Sequence, residues 1–260
     1  MKANMFLELK QRNLALFWFG WFNIGLLLFA LMMFAVDNTI VSGINAWIKP
    51  MKFAISIAVY SWTFGWLLHY HTRPKVNSLI TAGVIITMFV EVALIYMQAF
   101  RGTSSHFNVY TVLDGAVFSI MGIFIAINSV INLYVAVLFF SKDISLDGQA
   151  LWAWRAGLIL FFLGGISGGW MVGQLSHTVG LSDGGPGLPF LNWSTVAGDI
   201  RAAHFATLHA LQVLPLMSYF ITTRLGVSTQ RWQVAFIIAY SILCVYLHIH
   251  AYLRLPVLAV

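Results

Sequence analysis

Glu91 is the only acidic residue between Arg73 and Arg101, in a stretch that is otherwise almost wholly apolar. An ionisable group at that depth is costly unless it is paired or faces a cavity, so its presence points to a proton relay, a ligand site or a metal centre. Thr87, Glu91, Gln98 and, less closely, Arg101 recur at helical spacing and form one polar stripe. By the helical rise, Glu91 lies roughly 13 Å below the end of its segment.

Histidines supply the second set of reactive groups. His204, His209 and Gln212 belong to one run that starts at Asp199 and Arg201, and His248 and His250 close another. His209 and Gln212 are three residues apart and share a helical face, whereas His204 and His209 are turned by about 140° from each other and do not easily ligate one ion together. His209 is about 12 Å below the start of its segment and His248 about 9 Å below the end of the next, with His204 and His250 shallower. Two levels of histidine pairs are therefore expected.

Imidazoles and carboxylates are the ligands of metal and haem sites, and a Gln or Glu beside them fixes the imidazole tautomer. The first reading is a metal- or haem-dependent membrane oxidoreductase, or a hydrolytic relative, acting on a lipid-soluble substrate. In it Glu91 and His209 are catalytic, His204, His209, His248, His250 and Gln212 bind the cofactor, and His209, His248 and Glu91 hold a metal ion or b-type haem. The second reading is a proton-coupled transporter or channel in which Glu91 and His209 titrate. The third is a ligand-binding accessory subunit of a membrane complex. Against all three stands a plainer alternative, in which histidines near a membrane surface bond backbone, headgroups or water; it weighs most for His106 and His177, which fall in loops.

Lys49 and Lys52, with Arg101 and Arg201, form a candidate site for an anionic group; snorkelling to lipid phosphates explains each about as well. Asn128 and Asn132, four apart, are placed to bridge helices, and Asp199 to cap the start of a helix. No lysine follows Lys142, which excludes a retinal attached to the last helix, and no HxxHH cluster of the desaturase type is present.

These side chains need elements to hold them, and the composition says which. With 60% hydrophobic and 8% charged residues and a mean hydropathy of +0.85, a soluble fold is excluded. A bilayer core of about 30 Å needs roughly 20 apolar residues in a helix. Seven segments fit, at 14–36, 51–70, 77–100, 114–140, 151–175, 201–223 and 232–254, so the expectation is an all-α integral membrane protein, a single polytopic domain over 1–260. The first segment is too long for a signal-peptide core and reads as an uncleaved helix. A barrel would alternate polar and apolar residues, which these runs do not.

Nine of the fourteen Lys and Arg residues fall on the N-terminal side of this arrangement, which gives an N-in, C-out orientation and a bacterial inner (plasma) membrane as the expected location. The basic residues are scattered singly or in twos and threes, so no nucleic-acid surface is expected. Pro215 is expected to kink the sixth segment. Gly165, Gly169 and Gly173 recur every four residues, which suits tight packing inside the chain or a seam between two copies of it. The single cysteine, Cys244, allows no intramolecular disulfide.

Overall fold

The computed structural model describes residues 5–146, 148–224 and 230–259. Lys2, Asp147 and the centre of the Arg224 to Arg231 connection lie outside the described residues. The chain is all-α: a short α1 (Met5–Arg12) precedes α2 (Leu14–Val36), α3 (Ile48–Leu67, prolonged by a 3-10 turn to Tyr70), α4 (Pro74–Phe100), α5 (Val112–Leu138), α6 (Gly148–Gln174), α7 (Ile200–Arg224) and α8 (Gln230–Tyr252). Among the described residues, α2 to α8 are the seven helices long and apolar enough to cross a membrane.

Their outward faces show the same solvent preference. Along α8, Ile238, Ile242, Val245 and Ile249 are each more than half exposed and recur at helical spacing. Such a stripe is a liability in water and the normal surface of a helix in lipid.

Boundaries differ from the sequence expectation by up to three residues, for local reasons. Helix α3 begins before Lys49 and Lys52, because Pro50 sits in its first turn, where the missing N–H has no partner to lose. Helix α4 begins at Pro74 for the same reason. Helix α1 was not expected as a separate element. Asn13 divides it from α2 by accepting from the Leu16 amide at 3.0 Å, and the same side chain donates to Thr81 at 2.8 Å.

The chain forms two compact units, Met1–Ile131 and Asn132–Val260. In the first, α2 packs on α3 where Gly20 leaves room for the Trp62 indole, which donates to the Phe17 carbonyl. Its long loops meet at one end: Trp47 lies edge-on to Phe100 at 4.8 Å, and Asp37 accepts from Trp47 Nε1 at 2.7 Å and from Thr39. Those donors hold the Asp37 carboxyl below its ordinary range. The opposite, short-turn end is tied by Asn77, which bonds His71 and the Leu68 carbonyl.

In the second unit, α7 lies against α6 where Gly157, Gly164 and Gly168 let it approach, and Tyr240 of α8 donates to the Ala206 carbonyl at 2.7 Å. Two short antiparallel pairs brace the long loops: the hairpin of β1 (Ile40–Val41) with β2 (Ile44–Asn45), and β3 (Thr178–Val179) with β4 (Gly198–Asp199), which closes the base of the loop between them. Helix α7 continues through Pro215 as one helix.

Candidate functional site

Glu91 is 1% exposed, and neither of its carboxylate oxygens accepts a hydrogen bond from a described residue. The group facing it comes from a loop: His106 Nε2 stands 3.5 Å from Glu91 Oε1. The segment between α4 and α5 folds down into the end of the first unit, with Ser105 and Asn108 each 3% exposed. A left-handed turn at Gly102 and another at Phe107 bring the chain down and back. Asn108 fixes it by donating to Thr103 and to the Ser104 carbonyl. Aromatic rings surround the imidazole: Phe53 of α3 at 5.9 Å, Phe118 of α5 at 6.3 Å and Phe107 at 6.0 Å.

The other imidazole nitrogen, Nδ1, pairs with the Ser105 hydroxyl at 3.1 Å. If Ser105 donates, Nε2 carries a hydrogen toward the carboxylate; if Nδ1 donates, Nε2 offers a lone pair and the carboxyl must carry the hydrogen. In both forms one proton lies between Nε2 and Oε1, but the first leaves the pair with one negative charge and the second, which holds one proton more, leaves it neutral. Lys49, one helical turn before Phe53 and 6.0 Å from its ring, is the nearby positive charge that acts on Glu91.

One turn further along the same face of α4, the polar stripe changes character. Thr87 donates to the Gly83 carbonyl at 2.8 Å and accepts from Asn128 Nδ2 at 2.9 Å, while Asn128 Oδ1 accepts from the Tyr60 hydroxyl at 3.1 Å. Asn128 thus bridges α5 to α4 and α3, the role its position suggested. In the other direction the stripe is structural: Gln98 and Arg101 both donate to Asp114 Oδ1, at 2.9 and 2.5 Å, and Thr111 donates to Oδ2.

Of the four cations considered for an anionic group, two are therefore committed to internal carboxylates. Arg101 pairs with Asp114, and Arg201 clamps Asp199 through Nε and Nη2 while also donating to the Asn192 carbonyl. Asp199, fully buried, does cap α7, accepting from the Arg201 amide at 3.0 Å and from the Ser194 amide at 2.7 Å. Lys49 and Lys52 both lie in the first turns of α3.

The candidate histidines of the second unit are held in place one by one. His204 Nδ1 faces the Gly164 carbonyl at 2.8 Å and Ser167 Oγ at 3.1 Å, and its ring rests against Gly168. His209 stacks on Phe205 at 4.2 Å and bonds Gln212, its expected face partner. His248 Nδ1 donates to the Cys244 carbonyl one turn back at 2.8 Å, and His250 packs on Tyr246. His248, His177 and His209 are near enough to His204 to act on it electrostatically. Even so, among the described residues no three His, Cys, Asp or Glu side chains come together in a group that could hold a metal ion.

The loop before α7 has a knot of its own. Asp183 accepts from His177 Nδ1 at 2.5 Å, from the His177 and Thr178 amides and from the Ser176 and Thr178 hydroxyls. Burial opposes ionisation of Asp183, but the hydrogen bonds and charge of His177 outweigh it and hold the carboxyl well below the usual carboxylate range.

Sequence reasoning singled out Glu91 and passed over its neighbour, because His106 lies fifteen positions on in a loop and no helical period relates the two. The signal that was available is the polar run Ser104-Ser105-His106 between two apolar segments. Compared with family models, curated proteins and solved structures, the chain matches none.

Proposed function

We propose that the chain is a proton-coupled membrane transporter in which Glu91 and His106 jointly hold the coupling proton. One observation carries this reading: a 1% exposed carboxylate, its oxygens unsatisfied by any described hydrogen-bond donor, faces an imidazole nitrogen at 3.5 Å. A purely structural carboxylate at such depth is expected to collect hydrogen bonds, as Asp114 and Asp199 do. Glu91 instead faces the His106 imidazole with Lys49 as the nearby charge, so the cheapest change open to the pair is gain or loss of a proton.

The roles follow from the chemistry. Glu91 is the proton-holding group, His106 is the acid or base that delivers or removes the proton, and Ser105 fixes the imidazole so that Nε2 faces the carboxyl. The basic-residue bias orients the long loops of the first unit away from the cytoplasm, so His106 stands on the route from that side. His209, with Gln212 and Phe205, remains the second titratable group of the mechanism. A metal- or haem-dependent oxidation or hydrolysis is less well supported, since it asks for several converging ligands where Glu91 has one facing histidine.

Proton counting tests the proposal. Purified wild-type protein in lipid nanodiscs, titrated without buffer, is expected to bind a proton that Glu91→Gln does not. Equal proton counts from the two proteins reject the reading.

A further inference from the structure

The hydrogen bonds beneath Glu91 carry a consequence for the direction in which its proton can move. Thr87, one turn away on the same face of α4, is the nearest hydroxyl along that helix, its Cβ roughly 5–6 Å from that of Glu91. A proton arriving at Thr87 Oγ1 would next have to pass to Asn128, whose Nδ2 donates to that oxygen. An amide nitrogen has no available lone pair, because the pair is delocalised into the carbonyl. It cannot take the proton. Beyond Asn128 the polar groups resume, with the Tyr60 hydroxyl at 3.1 Å, Ser61 next to it in α3, and the Asn13–Thr81 pair toward the short-turn end. Thr87, Asn128 and Tyr60 are all buried, at 1%, 6% and 7% exposure. Between the Thr87 and Tyr60 hydroxyls stands a single carboxamide.

We infer that Asn128 is a proton insulator: it seals Glu91 from the short-turn end of the first unit, so that in this conformation the Glu91–His106 proton exchanges only through the loop end. This rests on the proton-coupled reading and deepens it. A coupled carrier must not let its proton cross without its cargo, and an amide at the narrow point provides that insulation while keeping the helices hydrogen-bonded. The groups acting on Glu91 are His106 from the loop and Lys49 from α3, both on its loop side. Asn128 is a positioning residue with respect to the carboxyl, since it acts through Thr87.

Replacing the amide by an acid opens the path in a balanced way. In Asn128→Asp, one carboxyl oxygen accepts a proton from Thr87, which is replaced from the Glu91 side, while the other gives a proton to the Tyr60 oxygen as the Tyr60 hydroxyl hydrogen passes on toward water at the short-turn end; each group ends with the hydrogen count it began with. The experiment uses the full chain in phosphatidylcholine liposomes with an enclosed pH dye and a potassium–valinomycin potential, and compares wild type, Glu91→Gln, Asn128→Asp and the double variant. Wild type and Glu91→Gln are expected to leak protons no faster than protein-free liposomes. Asn128→Asp is expected to leak about 100-fold faster, the lower end of what a positioned acid–base group contributes, and Glu91→Gln in the same chain abolishes the gain. A Glu91-dependent leak in wild type overturns the inference, as does a monodisperse Asn128→Asp protein that does not leak, or a leak that survives loss of Glu91. Should Asn128→Asp fail to fold, Asn128→His carries the same expectation; should both fail, wild type against Glu91→Gln decides. Failure here with a positive proton count on Glu91 removes the insulator alone, whereas a null proton count removes the site itself.

Discussion

Glu91 and Asp183 are both carboxylates facing a histidine, and their surroundings give them opposite roles. Asp183 is ringed by amide and hydroxyl donors and stays ionised, while Glu91 has His106 and no hydrogen bond from a described residue. The Asp183 contribution to stability has a defined pH dependence. Its carboxyl titrates lower in the folded chain than in the unfolded one, so the stabilisation is fully present above the ordinary carboxylate range and is lost as pH falls through the lowered folded value. Hydrogen exchange of the Ser176–Thr178 amides is therefore expected to stay slow down to about pH 4 and to speed up in stronger acid. Asp183→Asn is expected to show the fast exchange already at neutral pH. Equal protection in the variant would show that the knot does not depend on the charge.

Helices α6 and α7 illustrate that small-residue spacing alone does not say which stripe of a helix meets its neighbour inside the chain. The glycines at 165, 169 and 173 drew attention by their spacing, yet it is Gly157, Gly164 and Gly168 that meet α7, while Gly169 and Gly173 have open space around them. Both stripes consist of small residues on one helix, and only knowledge of where α7 lies separates them. A Cβ at Gly164 would come within 3.1 Å of the Leu208 backbone nitrogen, which cannot move aside as a flexible side chain can. Gly164→Val is expected to lower the unfolding free energy by about 1–3 kcal/mol, read as an earlier melting transition in detergent. Gly169→Val should leave that transition nearly unchanged. A reversed order would place the contact on the other stripe. The seven spans themselves were legible, because length and hydropathy alone determine them. Glu91 was legible because the membrane makes any charge conspicuous. His106, Asn128's two partners and the commitment of Arg101 and Arg201 to internal carboxylates were not, since each depends on loops or helices meeting at distances unrelated to sequence spacing.

At the scale of the whole molecule, lipid is the solvent that makes the exposed apolar faces of α2 to α8 reasonable. The chain is expected to remain in the membrane pellet after alkaline carbonate washing, as spans held by burial of apolar area do and peripheral proteins do not. The charge bias gives a further expectation: reporters fused after Tyr70 report cytoplasm, and those fused within the 101–111 or 175–199 loops report the opposite side. The reverse pattern would turn the proposed access route to face the cytoplasm and leave the Glu91–His106 geometry as it is.

The Glu91–His106 proton is most directly tested by pH-difference infrared spectroscopy of the protein in lipid. Wild type should show a protonated-carboxyl C=O band that appears and disappears with pH, is absent in Glu91→Gln, and titrates at a different pH in His106→Gln. An unaltered band in Glu91→Gln, or no titrating carboxyl band in wild type, would contradict a proton held at this pair.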